Sequence, residues 1–276
     1  MEEVYGGEIM DKLIGIDAGG TLVKIVFDEG GRFHYRKSGY EDAESVFQWL
    51  KLMSPGARIA VTGGRGEWVK KNFFPEAEII SEFHAVSEGA GHLFSLKNSE
   101  ALGTFLLVNV GTGTSIFLSG DGKCDRLGGT GLGGGTLVGL GRLLTGSAVF
   151  SELAELGLAG DRTNADVLVK DIYGDGNEPL LGEMTASNFA KNNSASKEDH
   201  VAALFNMVAE NIYLLVSQFA AVHKIRKVVF AGGALSANSL LKENLGLYLD
   251  MAGLQPVFLE KGGYCGAVGA MLLSER

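Results

Sequence analysis

The stretch LIGIDAGGTLVKIVFD, residues 13–28, sets an aspartate, two glycines and a threonine between two apolar runs. The second run, LVKIVF, is short and rich in β-branched residues, and it meets the turn signal DEGG at once. That pattern predicts two antiparallel strands joined as a hairpin through the Gly/Thr loop. A Rossmann or Walker loop would open a helix at this point, so both readings are set aside. The same word returns in LLVNVGTGTSIFLSGDG, residues 106–122, again as apolar run, polar residue (Asn109), Gly/Thr loop, apolar run and D-G turn. The repetition predicts an internal duplication.

A third element, RKVVFAGGALSANSLLKENL, reads as strand, Gly-Gly, helix, with glycines that would let a flat ring approach the backbone closely. The 41 glycines gather in such turns, and 46% apolar content excludes a low-complexity chain. Helical windows lie between the strands: 44–53, 67–73, ASNFA at 186–190 and the long segment 198–224. Alternating strands and helices give an α/β class. Two strand-loop-strand copies in two similar halves would aim two nests of backbone N–H groups into one cleft, an arrangement suited to a polyphosphate.

With 276 residues, the chain has room for two lobes with sizeable cores. Its net charge of −9 disfavours a general nucleic-acid partner and leaves a small molecule as the expected one. Cys124 and Cys265 have no C-x-x-C spacing, which fits a reducing, cytoplasmic setting. Residues 1–12 lack the pattern of a signal peptide. The segment 201–224 is interrupted by Asn206, Glu210, Asn211 and Gln218, so it reads as a buried helix and no membrane partner is expected.

These loops resemble those of the superfamily of actin, sugar kinases and heat-shock chaperone ATPases. Within it, residues 12–274 are similar to the type II pantothenate kinases. The likeness is carried by IGIDAGGTLVKIV, VTGG (61–64), EFHA (82–85), NVGTGTS (109–115), RLGGTGLGGG (126–135), GDR (160–162), TASNFA (185–190) and YCGAVGA (264–270). The resemblance implies two actin-like (ribonuclease H-like) lobes, each a mixed sheet flanked by helices, with ATP in the cleft between them. The division expected is 1–104 for the first lobe and 105–276 for the second. It also implies ATP-dependent phosphorylation of pantothenate to 4'-phosphopantothenate, the first step toward coenzyme A, by a homodimer using Mg²⁺.

Phosphoryl transfer needs charge neutralisation, positioning and a group to take the acceptor's proton. Asp17, at the end of an apolar strand, is the expected Mg²⁺ partner, acting through the ion's waters; a turn aspartate bonding its own loop is the plain alternative. Gly19, Gly20 and Thr21 would form the first nest, followed by Leu22, Val23 and Lys24, whose amine could reach a phosphate. Thr112 and Gly113 would form the second nest, with Thr112 near the transferred phosphate. Asn109 cannot serve as a base. Glu82, where a β-branched run gives way to a helix, is the candidate general base, and the resemblance assigns the catalytic carboxylate to this EF pair.

Arg126 would bind the acceptor or the transferring phosphoryl oxygens. Gly134, Gly135, Thr136, Leu137 and Val138 open a helix whose N-terminal amides suit nucleotide phosphate or ribose, and Gly232 and Gly233 are expected beside the adenosine. Phe150 corresponds to an aromatic near the nucleotide in the family, although core packing would explain it as well. His84, Glu88 and His92 share a helical face, but ordinary packing is the preferred reading. Two rival functions are a sugar or amino-sugar kinase of the same fold and an actin-like nucleotide-switched structural protein.

Overall fold

The hairpin expected around Gly19–Thr21 forms, and no helix issues from Thr21. In the computed structural model, which describes residues 12–98, 102–120, 122–173, 182–191, 194–236 and 238–275, strand β1 (Leu13–Ala18) pairs antiparallel with β2 (Leu22–Glu29), with Asp17 opposite Lys24. The turn Gly30-Gly31, both residues at positive φ, returns the chain into β3 (Arg32–Gly39). Helix α1 (Ala43–Met53) then leads to β4 (Arg58–Thr62), parallel to β1. Next come α2 (Gly66–Asn72), the short β5 (Glu78–Ile79) and α3 (Glu82–Ser95). The sheet order is β3-β2-β1-β4-β5.

Alternation along β1 explains its packing. Ile14, Ile16 and Ala18 point into a core shared with Val23, Ile25, Phe47, Leu50, Val61 and Val69. Each large side chain there, fully buried, contributes about 1.5–3 kcal/mol. Gly15 and Asp17 point the other way, toward a C-terminal helix, Cys265–Ser274. That helix packs so tightly that a Cβ on Gly15 would fall onto the Ala267 carbonyl, one on Gly89 of α3 onto the Cys265 carbonyl, and one on Gly269 onto the Ala85 carbonyl. The chain accordingly divides into one unit of residues 1–100 with 264–276 and another of 101–263. The expected split left residues 264–276 with the second lobe; these backbone contacts put them in the first unit instead.

The second unit repeats the plan. Strands β6 (Phe105–Val110), β7 (Thr114–Gly120) and β8 (Lys123–Thr130) form an antiparallel meander. Helices α4 (Gly134–Thr145) and α5 (Phe150–Ala159) follow, then β9 (Val167–Leu168), α6 (Val169–Tyr173), β10 (Thr185–Ser187) and α7 (Lys197–His223). Strand β11 (Lys227–Ala231) runs parallel to β6, and after α8 (Ser239–Met251) strand β12 (Gln255–Phe258) runs parallel to β11. Read from its antiparallel edge, the order β8-β7-β6-β11-β12 matches β3-β2-β1-β4-β5 of the first sheet strand for strand.

Helix α7 is long and apolar enough to cross a membrane, yet it supplies Val201, Leu204, Phe205, Val208, Ile212 and Val216 to the core of this unit. Ser196 and Asp199 form a reciprocal cap at its start. Its buried polar residues explain why ASNFA is not the expected helix. The Thr185 N–H donates to Glu210 Oε1 at 3.1 Å, and Asn206 Nδ2 donates to Thr185 Oγ1 at 3.2 Å. The Phe189 N–H, at φ 56, donates to Asp166 Oδ1 at 2.9 Å. Tyr248 donates to Asn206, and burial pushes its hydroxyl up to about 12. The segment is thus drawn out as strand and turn to satisfy these buried groups. Arg162, from the GDR motif, donates to Thr185 Oγ1 at 3.4 Å, and the Asp161 N–H donates to Asp199 Oδ1 of α7 at 2.8 Å, so this motif joins TASNFA to α7.

Candidate active site

In the first unit, three ionisable side chains from three elements share one neighbourhood. Lys24 Nζ donates to Asp17 Oδ2 at 2.9 Å, across the register pair that joins β1 to β2. Both side chains are mostly buried, at 13% exposure for Asp17 and 16% for Lys24, so the pair is more than a surface ion pair. Glu82 is the first residue of α3, set there by the short β5 before it. Although Glu82 lies at the surface, the protein gathered around its carboxyl pushes its pKa above the usual carboxylate range. The negative charge of Asp17 adds to the rise and Lys24 offsets part of it. A carboxylate with raised proton affinity is a better proton acceptor than an ordinary one.

Asp17 is given room by two glycines. A Cβ on Gly63, which has φ 91, would come 2.8 Å from Asp17 Oδ1, and one on Gly266 would come 3.1 Å from Oδ2. The start of the C-terminal helix therefore lies against this carboxylate. Cys265 sits in the same field, and burial pushes its thiol up to about 12, which keeps it neutral. Sequence reasoning gave YCGAVGA no role beyond likeness. Its signal was the helical spacing of small residues at 265, 266 and 269, the signature of a helix approached closely by backbone. Among the described residues no group of three His, Cys, Asp or Glu side chains could hold an ion. The ring of His92 instead stacks on Phe33 at 5.2 Å.

The loop Gly19–Thr21 is held from behind. The Gly19 N–H donates to the Leu22 carbonyl at 3.2 Å, and the Tyr40 hydroxyl donates to the Gly19 carbonyl at 2.6 Å. Gly20 and Thr21 are exposed. Val23 is fully buried in the core, so only its backbone could serve a ligand.

In the second unit, the loop Gly111–Gly113 is clasped by the glycine run. The Gly134 N–H donates to the Gly111 carbonyl and the Gly135 N–H to the Thr112 carbonyl, each at 2.8 Å. These two amides, expected to hold a phosphate or ribose, are thus occupied in bracing the second hairpin loop. Thr114 Oγ1 donates to the Leu132 carbonyl, which ties the same two segments again, and Thr136 Oγ1 donates to the Gly131 carbonyl within the glycine run. Leu137 is fully buried, and Val138 follows it on α4.

Arg126 lies within β8, not beside a turn, and is exposed; Gly129 leaves space for its guanidinium. Phe150 packs against Phe205 with ring centroids 6.3 Å apart, so core packing accounts for it. At Gly232, φ is 105 and a Cβ would fall onto the Val110 backbone. Its glycine is required by the approach of β11 to the end of β6, whatever lies beyond Gly233.

Comparison with known proteins agrees with this architecture. The chain matches the Fumble family over residues 69–273. It is 40% identical to the type II pantothenate kinase of Oceanobacillus iheyensis, covering 95% of this chain and 100% of that one. It is 34% identical to the type II pantothenate kinase of Staphylococcus saprophyticus, covering 94% and 99%. Among solved structures, it is similar to component A of the (R)-2-hydroxyglutaryl-CoA dehydratase of Acidaminococcus fermentans, with a TM-score of 0.64, 16% identity and coverage of 95% and 96%. It is also similar to a ROK family glucokinase of Streptomyces griseus in complex with glucose and AMPPNP, with a TM-score of 0.58, 14% identity and coverage of 95% and 98%. These two likenesses concern the fold, which is that of the actin-like kinases and ATPases, and the sequence relatives go further: this chain belongs to the type II pantothenate kinases.

Proposed function

We propose that this protein transfers the γ-phosphoryl group of ATP to the primary hydroxyl of pantothenate, giving 4'-phosphopantothenate and ADP at the entrance to coenzyme A synthesis. The observation that carries the acceptor is the match, over nearly its whole length, to proteins named for that activity. The mechanism is supported by the raised proton affinity of Glu82 beside the Asp17–Lys24 pair.

In this reading the acceptor oxygen attacks the γ-phosphorus as the bond to the β-phosphate oxygen breaks. The hydroxyl proton passes to the Glu82 carboxylate, and ADP leaves. Lys24 neutralises phosphate charge while holding Asp17 in place. The exposed loop at Gly20 and Thr21, and Thr112 with Gly113 in the second unit, offer backbone donors to phosphate oxygens. Arg126 holds the acceptor or the phosphoryl oxygens, and Gly233 borders the adenosine.

Asp17 suits Mg²⁺ as a partner of the ion's water. It is one carboxylate, already paired with a lysine and kept clear by two glycines, and Mg²⁺ is commonly held by phosphates, waters and one or two carboxylates. When bound, the ion neutralises charge on the phosphate oxygens. Two cysteines, Cys124 and Cys265, without C-x-x-C spacing suit a cytoplasmic protein. A homodimer is the family expectation, tested by sedimentation.

The deciding experiment is ADP release with pantothenate as sole acceptor, beside a panel of hexoses and amino sugars. Turnover of pantothenate is expected. Sugar turnover without it would overturn the acceptor in favour of a sugar kinase, and ATP-driven light scattering without transfer would favour a polymer-forming protein.

A further inference from the structure

The turn that leaves β4 and the residue that follows β3 fix two successive peptide groups of the first hairpin loop. The Arg65 N–H donates to the Ala18 carbonyl at 3.0 Å, and the Tyr40 hydroxyl donates to the next carbonyl, that of Gly19, at 2.6 Å. A peptide unit is planar and trans, so its carbonyl and the following N–H point in opposite directions. Holding the Gly19 carbonyl therefore sets the direction of the Gly20 N–H, in a residue that is exposed and free of side-chain bulk. A glycine pair has no conformational preference of its own to supply this, and without an external clamp the peptide could flip.

Tyr40 is itself held. The guanidinium carbon of Arg65 lies 4.1 Å from the Tyr40 ring centroid, and Trp68 meets the same ring edge-on at 5.9 Å. Trp68 in turn rests on Phe73 at 5.1 Å. Burial pushes the Tyr40 hydroxyl above its ordinary value, with the Arg65 charge lowering it and the Asp17 charge raising it, so the hydroxyl shares their neighbourhood. The sequence singles out none of Tyr40, Arg65 or Trp68. The Tyr40 ring also packs against the core of the first unit, which does not account for its hydroxyl on the Gly19 carbonyl, and Arg65 and Trp68 are exposed.

We propose that Tyr40 is a positioning residue for phosphate binding. It locks the Gly19–Gly20 peptide so that the Gly20 N–H is presented to a nucleotide phosphate, and Arg65 holds the Tyr40 ring in place by stacking. The proposal rests on the reading of Gly19–Thr21 as a phosphate loop.

The test is the affinity of the full chain for ATP, ADP and adenosine by calorimetry, with Michaelis constants for ATP and for the acceptor, in wild type, Tyr40→Phe and Arg65→Ala. Tyr40→Phe keeps the ring and removes the donor. It should weaken ATP and ADP by about 3- to 10-fold, the scale of one hydrogen bond, and leave adenosine, the acceptor KM and the melting temperature unchanged. Arg65→Ala should show the same phosphate-graded pattern at smaller size. Should Tyr40→Phe fail to fold, Arg65→Ala decides by the same graded comparison. Equal weakening of adenosine, or no weakening at all, overturns the proposal while the phosphate-loop reading stands. A wild-type chain that binds neither ATP nor ADP overturns both.

Discussion

The two hairpin loops occupy matching places in two sheets of the same strand order, yet they are built on different principles. In the first, the register pair beneath the loop is Asp17 opposite Lys24, a mostly buried ion pair, and the Tyr40 hydroxyl and the Arg65 N–H, both from outside the hairpin, clamp the loop. In the second, the equivalent register pair is Asn109 opposite Ser115, both neutral, and a glycine run braces the loop backbone to backbone. The two hairpins thus share a plan and differ in what holds them: a buried ion pair under the first loop, neutral side chains and backbone hydrogen bonds around the second.

The sharpest way to break this contrast is at Glu82. Glu82→Gln should fold and bind nucleotide but lose transfer by about 10²–10⁴, read by ADP release at saturating substrates. Near-normal turnover would remove the proton-handling role from the first unit.

Asp17→Asn should cost roughly 10²-fold in kcat/KM, the scale of one preorganised charge-stabilising group. Its pH profile sharpens the point. Asp17 raises the Glu82 pKa and Lys24 lowers it. A base works only when ionised, so activity falls as pH drops through its pKa. Asp17→Asn should therefore move the acid limb to lower pH, and Lys24→Met should move it to higher pH. A limb that stays in place in both variants would break the link between the pair and Glu82.

The second loop should answer to volume and not to charge. A Cβ on Gly133 would lie 2.8 Å from the Gly113 backbone. Gly133→Ala should then cost about 1–3 kcal/mol in stability, measured by denaturant unfolding, and raise the ATP KM. The smallest effect is expected from installing the first pair in the second hairpin. Asn109→Asp with Ser115→Lys should change stability by less than about 1 kcal/mol and should not rescue Asp17→Asn, because the pair acts through its proximity to Glu82.

Much of this arrangement was legible locally. A β-branched run on either side of a Gly/Thr loop specifies a hairpin, and the change from IleIle to SerGluPhe at 79–83 marks the strand end that sets Glu82 on a helix start. What stayed hidden depends on partners far along the chain. Gly134 and Gly135 read as free helix-start amides until the fold brings the carbonyls of Gly111 and Thr112 against them. Phe150 matched a nucleotide-side position but meets Phe205. ASNFA has helical composition, and the unpaired needs of Glu210 and Asp166 override it. Tyr40 carries no local pattern at all, since its only distinction is the carbonyl that it reaches.

The glycine seam between α3, β1 and the C-terminal helix has a further consequence for biogenesis. Residues 264–276 complete the unit that holds Asp17 and Glu82, but a ribosome makes them only after the whole of residues 101–263. During synthesis the first unit thus waits with an open face where Gly15, Gly89 and Gly269 will later interlock, while its younger neighbour can already mature.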